Sequence, residues 1–262
     1  MPEAERILRE ERGFSTAPEA RVPLTAERLA WLEANERRMH ASLVARLDRE
    51  AEVVALVGRA GSDLSTLRFA GETPRFTHVA LAVREDGEWW VHHLLNTHGG
   101  KHGHLYRQPL IDFFRDDPFA YRVSLVAPSS ALQHAIAGVL RSPLRQTLFT
   151  PHYSRIAYPF STRYMNSNQW VAEIVGAARG GGETRADVQR FLAASGLEPS
   201  LLLGIGPVAQ LYSRFASRNT RLDDHPPRER LRGRFAFLLE PSLRRYLCAV
   251  DAVRACEVLE PS

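Results

Sequence analysis

The stretch THVALAVREDGEWWVHHLL, residues 77–95, constrains the fold of this chain more than any other. Apolar residues run up to both sides of Asp86-Gly87, a dipeptide that closes tight β-hairpins because both positions tolerate positive φ. Residues 76–84 and 88–95 are therefore predicted to be paired antiparallel strands. A two-residue turn pairs Glu85 with Glu88, Arg84 with Trp89, Ala82 with Val91, Ala80 with His93 and His78 with Leu95. A four-residue loop from Glu85 to Glu88 gives the same register. Along the first strand His78, Ala80 and Ala82 share one face, and Val79, Leu81 and Val83 the other. Directly opposed residues lie on one face, so His93 joins His78 and His92 points away. A three-residue loop would exchange the two histidines. The small residues beside His78 leave room for a helix to approach closely.

The rest of the chain organises around this hairpin. A helical pattern runs from Thr25 to about Glu50, with Leu29, Leu32, Met39, Leu43 and Leu47 on one side and Thr25 as its N-cap. Residues 53–57 read as a short strand. A Gly- and His-rich loop is expected from Asn96 to Tyr106, a short helix over 109–115, a strand over 121–126 and a helix over 128–141 begun by Ser129 or Ser130. Residues 143–162 are irregular and aromatic. Gly180-Gly181-Gly182 marks the strongest internal boundary. Beyond it come a helix over 184–194, an apolar segment over 201–215 and one or two strands within 234–250.

Ser167 opens a further helix, in which Trp170, Val171, Ile174, Val175 and Ala178 recur at helical spacing. A hydroxyl there meets free N–H groups and the positive end of the helix dipole. That setting suits an oxyanion, and it equally suits an ordinary helix cap. Two histidines on one sheet face are either a base with its orienting partner or hydrogen-bonded core residues.

Two motifs in this order resemble the lecithin:retinol acyltransferase-like group of permuted papain-like enzymes, relatives of the NlpC-type peptidases. In that group a His starts one strand, a His-Leu ends the next, and a nucleophilic Cys follows at a helix N-terminus in an Asn-Cys-x-x-Phe-like motif. The resemblance spans roughly residues 58–178. It implies that His78 is the general base, His93 its orienting partner, and Ser167, in Asn166-Ser167-Asn168-Gln169-Trp170, stands where the Cys is expected. A Ser hydroxyl is not stored as an alkoxide and must lose its proton during attack, so the implied chemistry follows triad logic. The stretches RAGSDLS, THVALAV, VHHLLN, LIDFF and YPFSTRYMNSNQW also resemble the uncharacterised bacterial family DUF2145 (domain of unknown function), which brings no established activity.

Other residues near this motif have chemical options. Asn166 caps the helix or donates to an oxyanion. Arg163 and Tyr164 either bind an anionic or carbonyl group of a substrate or pack as surface residues. His98, His102 and His104 are weak metal candidates, because glycines at 99, 100 and 103 oppose a helix and no acidic residue lies within the stretch. With glycines on both sides, the same loop could act as a lid. The two cysteines, Cys248 and Cys256, lack a CxxC spacing and suggest neither a disulfide framework nor a zinc ribbon.

Composition removes other classes. The net charge is +4, but Arg and Asp/Glu are interspersed, so a nucleic-acid surface is not expected. Lys101 is the only lysine. No apolar run approaches the roughly 20 residues that span a bilayer. The N-terminus lacks an apolar h-region, so a cytoplasmic location is expected. Walker, dinucleotide and G-x-S-x-G motifs are absent, and no cofactor is expected.

The expectation is an α+β protein: a permuted papain-like core over residues 53–180 whose antiparallel sheet packs against the Ser167 helix. An arm over 1–22, an N-terminal helix over 23–52 and a C-terminal subdomain over 183–262 flank it. The expected function is hydrolysis or acyl transfer on an amide, ester or thioester through Ser167. The alternatives are an inactive papain-like module that binds a peptide or acyl group, and, last, a metal site in the His-rich loop.

Overall fold

The computed structural model describes residues 25–96, 100–115, 120–210, 219–251 and 253–260. The predicted arm over 1–22 and part of the apolar segment 201–215 lie outside the described residues.

The protein is α+β. Its main sheet has six strands in the order β5-β4-β3-β1-β6-β9, every neighbouring pair antiparallel. These are β1 (Val54–Ala60), β3 (His78–Glu85), β4 (Glu88–Asn96), β5 (Gly103–Pro109), β6 (Ala120–Ala127) and β9 (Ala255–Leu259). A small sheet joins β2 (Arg68–Phe69), β7 (Ser200–Leu203) and β8 (Arg234–Phe237) around Phe69, Leu202, Phe235 and Phe237. The C-terminal segment thus contributes to both sheets.

The hairpin has the expected register, with Glu85 opposite Glu88, Arg84 opposite Trp89 and Ala82 opposite Val91. Asp86 and Gly87 both carry positive φ, +50° and +86°, as a two-residue turn matched to strand twist requires. The second half of the expected 96–106 loop is instead β5, paired with β4 from Asn96↔Gly103 to Trp90↔Pro109. Its side chains are mostly exposed because β5 is a sheet edge, so its composition resembles a loop. Arg107 secures that edge, lying 3.6 Å from the Trp90 ring centroid and donating to Glu85 at 2.7 Å.

Helices cover both sheet faces. The first face holds Ala55, Val57, Ala80, Ala82 and Val91, and is covered by α1 (Ala26–Glu50) through Leu32, Met39, Leu43 and Leu47. Thr25 caps α1, its hydroxyl accepting from Arg28 N–H at 3.1 Å. The small alanines do admit a helix, and that helix is α1. A 3-10 turn at Leu110–Phe114 completes this layer.

The second face holds Leu56, Val79, Leu81 and Leu94. It is covered by α2 (Ser130–Arg141, capped by Ser129), α4 (Ser167–Ala178) and α7 (Glu240–Val250), with α5 (Arg185–Ala194) packed outside α4. A single turn, α3 (Leu144–Thr147), follows α2, and another, α6 (Pro227–Leu231), precedes β8. Residues 167–176 are all buried, so α4 is enclosed on every side rather than amphipathic. Gly176 permits this: a Cβ there would meet Val188 at 2.7 Å and Leu192 at 2.9 Å. The triglycine connects α4 to α5. Among the described residues no helix is long and apolar enough to cross a membrane.

Candidate functional site

His78 and His93 do meet. Their Nε2 and Nδ1 atoms lie 2.9 Å apart, and their rings are 5.2 Å apart at 58°. The hairpin register explains this, since His93 is the diagonal neighbour of His78 on one sheet face. Arg59 lies opposite His78 on β1, donates to the Phe113 carbonyl at 2.6 Å, and sits over the Phe113 ring. Burial and then the Arg59 charge hold both histidines below the usual imidazole range, His93 down to about 3. The pair is neutral at pH 7. His92 points to the opposite face and bonds Glu85 at 2.7 Å.

Ser167 stands at the start of α4, next to Asn168, whose side chain bonds the backbone on both sides of His78. The histidines occupy the face beneath α1, whereas α4 is packed on the other face, against Val79 and Leu81. Ser167 interacts with the Tyr153 hydroxyl. Among the described residues no hydrogen bond links it to either histidine. The sequence indicated that a helix could approach the small-residue face without saying which helix. The structure gives that face to α1, and packs Trp170, Val171 and Ile174 with Val79 and Leu81.

Asn166 is the N-cap, accepting from Gln169 N–H at 2.7 Å, and its amide donates to the Arg155 and Leu238 carbonyls, both at 3.3 Å. At 2 % exposure it faces no solvent. Asn168, not singled out in the sequence, holds α4 to the sheet. Pairing of β3 with β4 ends at Leu81↔His92. Beyond that point the Asn168 oxygen accepts from Val79 N–H at 2.8 Å, and its amide donates to the Thr77 carbonyl at 3.0 Å and the Leu238 carbonyl at 2.9 Å. The carboxamide thus replaces strand pairing on both sides of His78. No periodicity reveals such a residue, because only the path of β4 away from β3 creates the need. Asn168→Ala strands one buried donor and two buried acceptors, and is expected to lower stability by about 2–4 kcal/mol in urea unfolding.

An open pocket of about 320 Å³ lies beside the start of α4, lined by Lys101, His102, His152, Tyr153, Tyr164 and Arg221. Its floor is a short extended segment. Tyr153 N–H donates to the Lys101 carbonyl at 2.8 Å, Gly103 N–H to the Pro151 carbonyl at 2.9 Å, and Met165 N–H to the His152 carbonyl at 3.0 Å. Tyr153, which touches Ser167, thereby forms the wall between the pocket and the helix start. The lining carries one lysine, one arginine and two imidazoles, and no acidic side chain.

Of the predicted substrate residues, Tyr164 lines this pocket. Arg163 pairs with Asp223 at 2.8 Å and stacks on Tyr164. His102 lines the pocket and forms an isolated bridge with His152. His104 lies on β5, with its ring 6.4 Å from Tyr106. His98 lies outside the described residues. Among the described residues no group of three His, Cys, Asp or Glu side chains is arranged to hold a metal. The signal for the pocket was weak in the sequence: the sole lysine and the two lining histidines are spread over positions 101–152, and Arg221 is remote.

A family model described as "Uncharacterized protein conserved in bacteria (DUF2145)" matches residues 46–247. The chain belongs to that family. No curated protein and no solved structure matches it.

Proposed function

We propose that the protein is a binding module whose pocket at the start of α4 receives a carboxylate-bearing small molecule or peptide end, without acyl transfer through Ser167. The observation that carries this reading is the lining: Lys101, Arg221, His102 and His152 around Tyr153 and Tyr164, with no carboxylate among them. Cationic donors flanked by aromatic faces recognise a carboxylate by charge-assisted hydrogen bonds and bury the adjoining apolar stem. The serine reading requires a base within hydrogen-bond reach of the hydroxyl. Here His78 and His93 bond each other, and the hydroxyl of Ser167 bonds Tyr153. The reading therefore keeps the cleft implied by the papain-like likeness and drops the reaction.

The test compares an N-acetyl dipeptide carrying a free C-terminal carboxylate with its C-terminal amide, by calorimetric titration. The carboxylate is expected to bind at least about tenfold more tightly, a difference of roughly 1.4 kcal/mol. Arg221→Ala and Lys101→Ala should each reduce that preference, and added salt should weaken it. Equal binding of acid and amide would remove the proposal, as would binding of neither. Labelling of Ser167 by a fluorophosphonate, lost in His78→Ala, would restore the acyl-enzyme reading instead.

A further inference from the structure

Cys248 and Cys256 are the only two cysteines of the chain. Their spacing in sequence argued against a disulfide, but the fold brings them together. Cys248 lies in the last turn of α7, Cys256 lies on β9, and their Sγ atoms are 2.8 Å apart. Both side chains are exposed. Both also lie beyond residue 247, where the family match ends.

Described residues on both sides of position 252 are docked on the main sheet and α2. The Asp251 carboxylate accepts from the Ser129 N–H and hydroxyl, both at 2.7 Å, at the N-terminus of α2. Arg254 N–H donates to the Ala127 carbonyl at 2.8 Å, and the Arg254 side chain pairs with Glu52. Strand β9 is a sheet edge, held to β6 by pairing from Ala127↔Ala255 to Val123↔Leu259. Edge strands of five residues fray readily, so a covalent tie at this position would act on an edge strand of the main sheet.

We infer that Cys248 and Cys256 form a reversible dithiol–disulfide site, oxidised by small-molecule disulfides, that latches β9 to α7. The inference is independent of the proposed ligand pocket. Desolvation beside the protein surface, and then the adjacent sulfur, push the Cys248 thiol up to about 12, so Cys248 reacts second and the first attack is written from Cys256 as its thiolate. That thiolate attacks one sulfur of a disulfide RSSR, forming a mixed disulfide and releasing one thiolate. Cys248 then attacks the Cys256 sulfur as it deprotonates, and the second thiolate leaves. Two protein thiols are oxidised to one disulfide, RSSR is reduced to two RSH, and the cysteine protons go to the leaving thiolates.

The experiment treats the full chain, Cys248→Ser and Cys256→Ser with oxidised or reduced glutathione. Intact mass, alkylation by iodoacetamide and thermal unfolding are then measured. Oxidised wild type should lose the mass of two hydrogens, resist alkylation and unfold roughly 5 °C higher, as expected for closing a short loop in a chain of this size. Each serine variant should instead carry one glutathione and show no such rise. Wild type that stays fully alkylatable, carries glutathione on both cysteines, or forms covalent dimers would overturn the inference.

Discussion

Arg185→Leu is expected to lower folding stability by about 3–5 kcal/mol, measured by urea unfolding at pH 7.5, because it leaves a buried carboxylate without its counter-ion. Arg185 donates to Glu173 through Nε at 2.8 Å and Nη2 at 3.0 Å, and Glu173 is completely buried in the middle of α4. Gln169 and Gln189 also donate to Glu173 Oε1, at 3.1 and 2.8 Å, but they bring no charge. The same guanidinium donates to the Thr162 carbonyl at 2.6 Å and the Tyr164 carbonyl at 3.0 Å. It therefore fixes the segment that presents Tyr164 to the pocket as well as the α4–α5 contact. Burial already raises the Glu173 pKa, with Arg185 as the leading opposing influence. Removing Arg185 raises it further. A raised carboxyl favours the folded state at low pH and loses that advantage as pH rises, so the deficit should be smaller at pH 5.5 than at pH 7.5. The double variant Glu173→Met/Arg185→Met should lose less than the single one, since no charge is left behind. A single-variant loss under about 1 kcal/mol, or one independent of pH, would show that water reaches the carboxylate.

The second large effect is acid sensitivity of the wild type. His93 is held down to about 3 and His225 down to about 4, in both cases chiefly by burial, against 6.5 for the free side chain. His78 is shifted the same way, first by burial and then by Arg59. The unfolded chain therefore binds protons that the folded chain refuses, and stability falls as pH drops through 6.5. Between pH 7 and pH 5, His93 and His225 should each lower stability by about 2 kcal/mol. Asp224 opposes this. Burial raises it to about 6, so it gains protons in the folded state over part of the same range. Glu173 and Glu240, both raised by burial, oppose it as well. The net expectation is a loss of a few kcal/mol across that window, read from urea midpoints at four pH values. His93→Asn should flatten the slope by about one proton. An unchanged midpoint from pH 7 to pH 5 would contradict the neutral buried pair.

How much of this was legible in the chain depends on how local each feature is. The turn at Asp86-Gly87 and the register it sets require only neighbouring residues, and so does the Thr25 cap of α1. The meeting of His78 with His93 follows from that register alone. Strand β5 was hidden because an edge strand needs no continuous apolar face, and its exposed His104, Tyr106 and Arg107 resemble a loop. Helix α4 showed an apolar stripe, but its burial on every side also depends on α5, which closes over it at Gly176. The partners of Asn168 lie at Thr77, Val79 and Leu238 and the charged partner of Glu173 on α5, so their roles exist only once those pieces have come together.

The sequence by itself determined the class of fold, the hairpin with its two histidines on one face, and the start of the helix at Asn166-Ser167. Each of these rests on the strand period, the helical period or a side chain reaching its own backbone. Which helix covers which face was left to tertiary structure, because alternation says that two strand faces differ without saying what packs on each. The face of Ala80 and Ala82 lies under α1, and the face of Val79 and Leu81 lies under the helix with Trp170. The same packing brought Lys101, His152 and Arg221 around one pocket and Cys248 against Cys256, contacts that no spacing along the chain encodes.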